Sequence, residues 1–406
     1  MSVEMKDSGV PWVSEIPCDW DVKKGKNILH LHKRPVREDD EVVTCFRDGE
    51  VVLRSLRRTE GFTMSDKEIG YQGINEGDIV IHGMDGFAGA MGVSKSTGKG
   101  SPILVVCSPK YDSNPQYIIY YLRTLAMLDV FVAMATGIRE RSCDLRWNKI
   151  SELEFILPTS EEQSRIANFL DKKCAEIDEL ITLQEQMIAQ LTTYKQAVIT
   201  ETVTKGLDPN VKMKDSGVEW IGEIPEHFGI IALKFLCKIN TGDKDSIDRE
   251  DNGLYPFFVR SPQVERINTY SYDGEAILMA GDGVGAGRVF HHYIGKFDYH
   301  QRVYNLHEFS NIFGKFLFYY LSSQFYKLID AGSAKSTVDS VRLPMLKDFQ
   351  VVVPALSEQQ SIANYLDQKC KEIDELISVK KEKIEKLKAY KKSVIYEYVT
   401  GKKQVN

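Results

Sequence analysis

The chain has no run of 18 or more apolar residues; its best stretch, Leu125 to Ala135, is short and carries Asp129, so no membrane span is expected. No signal peptide is expected either, because Glu4 and Asp7 stand where a secretory leader needs a cationic start and an apolar centre. A cytoplasmic chain is the expectation. None of the seven cysteines (Cys18, Cys45, Cys107, Cys143, Cys174, Cys237, Cys370) forms a C-x-x-C pair, and their spacing fits no zinc or disulfide framework. They read as reduced, mostly buried thiols. His291, His292 and His300 lie close in sequence, but with no carboxylate or cysteine at matching spacing they suggest no metal site. A G-x-x-x-x-G-K-[ST] loop, a helicase-like motif and a convincing nucleophile–base pair are all lacking. Neither catalysis nor a metal is expected of this chain. An excess of positive charge is also missing: the formal net charge is -6, which argues against a polybasic binder unless the charge is segregated.

What is present is a folded composition, 43% apolar and 27% charged, over 406 residues. At roughly 100 to 200 residues per domain that length calls for two or three domains. The chain is also duplicated. MKDSGVPWVSEIPCDW at 5 to 20 recurs as MKDSGVEWIGEIPEHF at 213 to 228, with 10 of 16 positions identical. IANFLDKKCAEIDELI at 166 to 181 recurs as IANYLDQKCKEIDELI at 362 to 377, with 13 of 16 identical. Such self-similarity governs how every other motif is read.

Between the repeats lie two variable blocks, about 21 to 157 and 229 to 353, alike only in outline. Gly77-Asp78-Ile79-Val80-Ile81 is matched by Gly274-Glu275-Ala276-Ile277-Leu278, each followed by a glycine-rich turn (Gly83 to Gly89, Gly281 to Gly287). Tyr120-Tyr121-Leu122 is matched by Tyr319-Tyr320-Leu321 in an apolar helix, and strand-like runs follow at Leu153 to Leu157 and Phe349 to Val353. Both blocks read as one α/β (α+β) fold.

The helical blocks, 158 to 212 and 354 to 406, open with Ser160-Glu161-Glu162-Gln163 and Ser357-Glu358-Gln359-Gln360, which predict capping boxes. Ile177, Leu180, Ile181, Ile188, Leu191, Tyr194 and Val198 then recur 196 residues on as Ile373, Leu376, Ile377, Ile384, Leu387, Tyr390 and Val394. Their spacing makes a continuous apolar stripe on each helix, so the two predict an internal coiled coil. Charge agrees: 158 to 228 holds 7 basic and 13 acidic residues, whereas 354 to 406 holds 11 and 8. The variable blocks balance at 19 against 19 and 14 against 14, so net charge does not exclude nucleic acid as their partner.

Asn114-Pro115-Gln116-Tyr117 resembles the tetrad of amino-methyltransferases, and Gly281-Asp282-Gly283-Val284-Gly285 a nucleotide loop, which together would make a permuted DNA methyltransferase. The two motifs fall in different copies at non-equivalent positions. A helix cap at Asn114 and a strand-feeding turn at the glycines are the plainer readings.

Basic residues among small polar ones stand out instead. Arg139, Arg141, Arg146 and Lys149 precede the last strand of the first block, and Lys335, Ser336 and Arg342 hold the equivalent place in the second. Arg54, Arg57, Arg58, Lys95 and Lys99, and Arg288 with His300, Gln301 and Arg302, complete the candidate DNA-contacting set. Arg and Lys hold phosphate or read guanine edges, while Gln, Ser and His suit other base edges.

The repeated M-K-D-S-G-V-x-W-[IV]-x-E-I-P, the S-E-x-Q…I-A-N-[FY]-L-D-x-K-C…I-D-E-L-I helices and V-T-K-G-L-D-P-N at 203 to 210 closely resemble the DNA-specificity subunits of type I restriction-modification enzymes. The resemblance covers the whole chain, although Val399-Thr400-Gly401-Lys402 lacks the following D-P-N. It implies a first target-recognition domain at 1 to 157, a conserved helical region at 158 to 212, a second recognition domain at 213 to 353 and a second helical region at 354 to 406. The two domains are then related by pseudo-two-fold symmetry and joined by two long antiparallel coiled-coil helices. It further implies a non-catalytic subunit that reads a bipartite double-stranded DNA target. Two methyltransferase subunits would bring S-adenosylmethionine chemistry, and two motor-nuclease subunits would use ATP and Mg. The 26 residues from Ile177 to Thr202 span about 39 Å as a helix, close to the ~34 to 36 Å of one DNA turn. The arms read as a ruler that sets the spacer and as a docking surface for the methyltransferase subunits.

Overall fold

The computed structural model describes residues 4–57, 69–134, 145–332 and 340–405. Four helices organise them: α1 (Pro115–Met127), α2 (Ser160–Lys205), α3 (Gly314–Gly332) and α4 (Leu356–Val399). Two compact units result, one of Met1–Gln184 with Glu382–Asn406, the other of Glu185–Lys381. Each unit therefore takes part of both long helices. Among the described residues no helix is long and apolar enough to cross a membrane, and no group of His, Cys, Asp or Glu could hold a metal ion.

In the first unit a four-stranded antiparallel sheet runs in the order Leu29–Leu31, Leu104–Pro109, Ile79–His82, Met91–Val93. Helix α1 packs on it. The Asn114 side chain accepts hydrogen bonds from the backbone N–H of Gln116 (2.9 Å) and Tyr117 (3.1 Å), and Pro115 follows at the first turn, so this helix starts as the sequence predicts. The N-P-x-Y tetrad is thus a cap. Strand Glu154–Leu157 pairs with Asp21–Lys24, tying the end of the variable block to its start. Val394, Ile395 and Val399 of α4 join Trp20, Tyr117, Phe131 and Phe155 in the core. The end of the chain thereby completes the unit that the beginning of the chain starts.

The second unit repeats the scheme with a larger sheet of six strands: Lys238–Thr241, Val303–His307, Tyr272–Ala280, Phe290–Tyr299, Tyr255–Phe258, Glu265–Ile267. Its pairings are antiparallel except Tyr255–Phe258 with Phe290–Tyr299. Gln350–Val353 pairs with Gly229–Ala232, as the equivalent strands do in the first unit. Ile199 and Val203 of α2 pack with Phe228, Phe316, Tyr320 and Phe349.

The predicted capping boxes do not form. Thr159, not Ser160, precedes the first helical residue, and its hydroxyl accepts from Glu162 N at 3.3 Å. Gln163 is buried and works elsewhere: its Nε2 donates to Pro158 O (2.9 Å) and its Oε1 accepts from Asn114 N (2.9 Å). Gln359 does the same with Pro354 O (2.8 Å) and Phe313 N (2.7 Å). A primary amide carries both donors and acceptors, so one buried side chain satisfies backbone groups of two elements at once. These glutamines fasten the entry to α1, and its counterpart before α3, to the long helices.

Candidate nucleic-acid interface

Each variable block presents the same construction at its glycine turn. Gly83 N donates to Ile103 O and Gly83 O accepts from Leu145 N (2.9 Å); Gly281 N donates to Arg302 O and Gly281 O accepts from Val341 N (2.8 Å). These bonds bring Arg146 and Arg342, the next residue in each case, beside the turn, and both are exposed. Gly287 has φ +62°, and a Cβ there would lie 2.9 Å from the Phe325 ring, so only glycine closes this turn against α3.

A second strand turn meets each glycine turn through an ion pair. Arg47, after strand Val43–Cys45, holds Asp85 at 2.9 Å, and Arg260, after strand Tyr255–Phe258, holds Asp282 at 3.0 Å. In the second unit Arg302 grips the other oxygen of Asp282. Burial pushes the Asp282 carboxyl up, but hydrogen bonds and charge from Arg302 and Arg260 outweigh it and leave the pKa below the usual carboxylate value. Sequence reading missed Arg47 and Arg260, and took Asp282 only as part of a glycine loop. The signal was the aspartate shared by both glycine turns.

The sequence candidates near the second turn come together. Arg288 and Arg302 are exposed there, and Gln301 Nε2 donates to Asp245 at 2.7 Å. His300 is different, being 2% exposed. Its Nδ1 accepts from Arg302 N at 3.0 Å, and burial followed by the Arg260 charge lowers its pKa. His300 is a neutral brace inside the loop, which removes it from any surface contact with bases.

In the first unit several candidates are engaged within the chain. Arg57 pairs with Asp48 (2.9 Å) and Glu50 (3.0 Å) and covers the Phe46 ring at 4.2 Å, while Lys95 reaches Glu50 at 3.1 Å. Arg54 Nε donates to Thr44 Oγ1 (3.3 Å), and Lys149 Nζ to Met134 O (3.0 Å). Lys99 lies half-buried in strand Gly98–Gly100. Arg146 also borders a cavity of about 510 Å³ lined by His32, Lys33, Arg34, Tyr71 and Trp147 among others. Arg58, Arg139, Arg141, Lys335 and Ser336 lie outside the described residues.

On the arms, the buried and half-buried positions are Ile177, Ile181, Gln184, Ile188, Leu191, Lys195 and Val198, and in α4 Ile373, Ile377, Lys380, Ile384, Leu387, Lys391 and Val394. Spacings alternate four and three, the heptad of a coiled-coil seam. Leu180, Tyr194, Leu376 and Tyr390, placed in the stripe by sequence, are instead about half exposed (44%, 50%, 51% and 51%). Polar Gln184, Lys195 and their counterparts occupy seam positions, so a reading by apolar type drifts onto the flank. In the first unit Lys391 of α4 pairs with Asp178 of α2, and in the second Lys195 of α2 pairs with Asp374 of α4, both at 2.6 Å.

Residues 225–399 match the family described as the type I restriction modification DNA specificity domain. The chain is 33% identical to the type I restriction enzyme EcoDI specificity subunit of Escherichia coli over 36% of its length, a match spanning only 32% of that relative. It is 25% identical to the putative type I restriction enzyme MjaX specificity subunit of Methanocaldococcus jannaschii, over 97% of this chain and 96% of the relative. Among solved structures, a chain from work on complex assembly and conformational transition of the type I R-M system superposes with a TM-score of 0.75 at 15% identity, over 95% of this chain and 99% of that one. The HsdS subunit of Thermoanaerobacter tengcongensis follows with 0.53 at 14%, over 95% and 98%. At these identities the likeness establishes the fold.

Proposed function

We propose that the chain is a DNA-specificity subunit of a type I restriction-modification system, a reading supported by its similarity to that family, and that it reads a bipartite double-stranded DNA target, one half with each unit, and catalyses nothing itself. The observation that carries this is the repeated construction: a glycine turn, an Arg–Asp pair and an exposed arginine on the returning chain, present once in each variable block. Two similar frames bearing different side chains suit two half-sites of different sequence. Phosphate contacts would set the register of each frame, and side chains on the turns would read base edges.

The arms set the spacer between the half-sites and dock two methyltransferase subunits. The exposed apolar residues beside the seam, Leu180 and Leu183 on α2 and Leu376 and Val379 on α4, support the docking role, since such side chains in a row mark a protein-binding strip. S-adenosylmethionine would be used by those partners, and ATP and Mg by two motor-nuclease subunits, in the cytoplasm. The test is long-read methylation sequencing of a host carrying this chain with its methyltransferase. One methylated motif made of two short blocks around an unread spacer is expected. Methylation at a continuous site, or at none, would contradict the proposal.

A further inference from the structure

We infer that Asp282 holds Arg260 and Arg302 as a paired guanidinium fork that reads guanine in the half-site bound by the second unit; this rests on the DNA-reading role proposed above. The Asp282 side chain is 14% exposed, whereas those of Arg260 and Arg302 are 43% and 61% exposed. A sheltered carboxylate thus fixes two cations that face outward. The bonds to Asp282 engage one nitrogen of each guanidinium, Nη1 in both cases, leaving further N–H donors on each fork.

Two features favour base edges over phosphate. One carboxylate cancels one of the two positive charges, so the pair attracts phosphate less than two free arginines would, while the donor geometry stays fixed. Guanine O6 and N7 are neutral acceptors matched by such a planar fork. The surroundings also leave access. Gly283 lies beside the fork, and among the described residues a Cβ there would meet nothing nearer than Arg260 Nη1 at 4.0 Å. Val284 at the tip of the turn is 96% exposed, an apolar group placed to touch a neighbouring base methyl. Behind the fork, His300 accepts from Arg302 N and Gln301 is tied to Asp245, which fixes the loop carrying Arg302. Among the described residues of the first unit, Arg47 holds the equivalent Asp85, whose side chain is more exposed at 37%.

The experiment uses the full chain assembled with its methyltransferase partners, on DNA carrying the motif that the wild type methylates. Arg302→Lys keeps the charge and loses the fork. It is expected to reduce discrimination at a guanine of one half-site by ~10- to 100-fold, with the salt slope and the other half-site unchanged. Asp282→Asn, which keeps both arginines but weakens their holder, should relax the same position and raise non-specific binding. Continued methylation of the other half-site's positions, with an unchanged melting temperature, verifies that the variants fold. A half-site without guanine in either strand, or Arg302→Lys retaining full discrimination, overturns the inference alone. Affinity falling equally on all sequences with a salt slope lower by about one in Arg302→Ala would make this a phosphate contact and also overturn it. A wild-type assembly that methylates no bipartite motif overturns the underlying reading as well.

Discussion

Lys391 donates to both carboxylate oxygens of Asp178, at 2.7 and 2.6 Å, from a seam position on the opposite long helix. The offset of 196 residues that relates the two halves of the sequence carries Asp178 to Asp374 and Lys195 to Lys391, and Lys195 indeed holds Asp374 at 2.8 and 2.6 Å. One ion pair is therefore built twice with the roles of the helices exchanged. The lysine stems cover the seam while their heads reach carboxylates at its edge.

Because the aspartates are more than half exposed, each pair contributes only about 0 to 1 kcal/mol. Lys391→Glu should cost more than Lys391→Met, since it sets two carboxylates together, and Asp178→Lys should recover most of the loss. Urea unfolding of the four variants in a double-mutant cycle measures the coupling. A coupling of zero would remove this pair from the specification of the helix register.

Gln359→Ala leaves Pro354 O and Phe313 N without their side-chain partner inside the second unit. Each unsatisfied buried group costs ~1 to 3 kcal/mol, so the variant should lower the denaturation midpoint clearly. The equivalent Gln163→Ala should act on the first unit. Midpoints unchanged in both would show that water replaces the amide without loss.

Leu180→Glu with Leu376→Glu changes two exposed residues outside the seam. Surface substitutions of this kind usually alter stability by less than about 0.5 kcal/mol, but here they should weaken association with the methyltransferase subunits. Size-exclusion chromatography of the mixed subunits reads the outcome. An intact complex would place the docking surface elsewhere.

Five histidines carry lowered pKa values, His32 and His82 in the first unit and His291, His300 and His307 in the second; burial is the largest cause in each. A histidine whose folded pKa lies below its unfolded value of ~6.5 binds fewer protons in the folded state. Their contribution is full above about pH 6.5 and is lost as pH falls from there through the folded values. Melting temperature should accordingly drop between pH 7.5 and 5.5, and His300→Gln should flatten that drop. A melting temperature that rises on acidification would contradict the sign.

Much of the fold is legible in sequence because duplication states it twice. The strands ending each block, the tyrosine-bearing helices and the cap at Asn114 all stand near where their residues predict. Less legible is anything made by two distant segments. Nothing local says that Val394 and Val399 will pack with Trp20 and Tyr117, or that Gln163 will serve Asn114 rather than its own helix end. Arg260 and Asp282 meet although strand Phe290–Tyr299 separates the strands that precede them, Tyr255–Phe258 and Tyr272–Ala280, in the sheet. Single-residue reading instead collected cations, some of which, like Arg57, are already paired with acids of their own hairpin.

The claim that each unit reads its own half-site is tested most directly by exchanging residues 229–353 for the block of a relative and sequencing the methylated motif of the host. One half-site should change, while the other half-site and the number of unread base pairs between them stay the same. A change in both half-sites, in neither, or in the spacer alone would contradict the account.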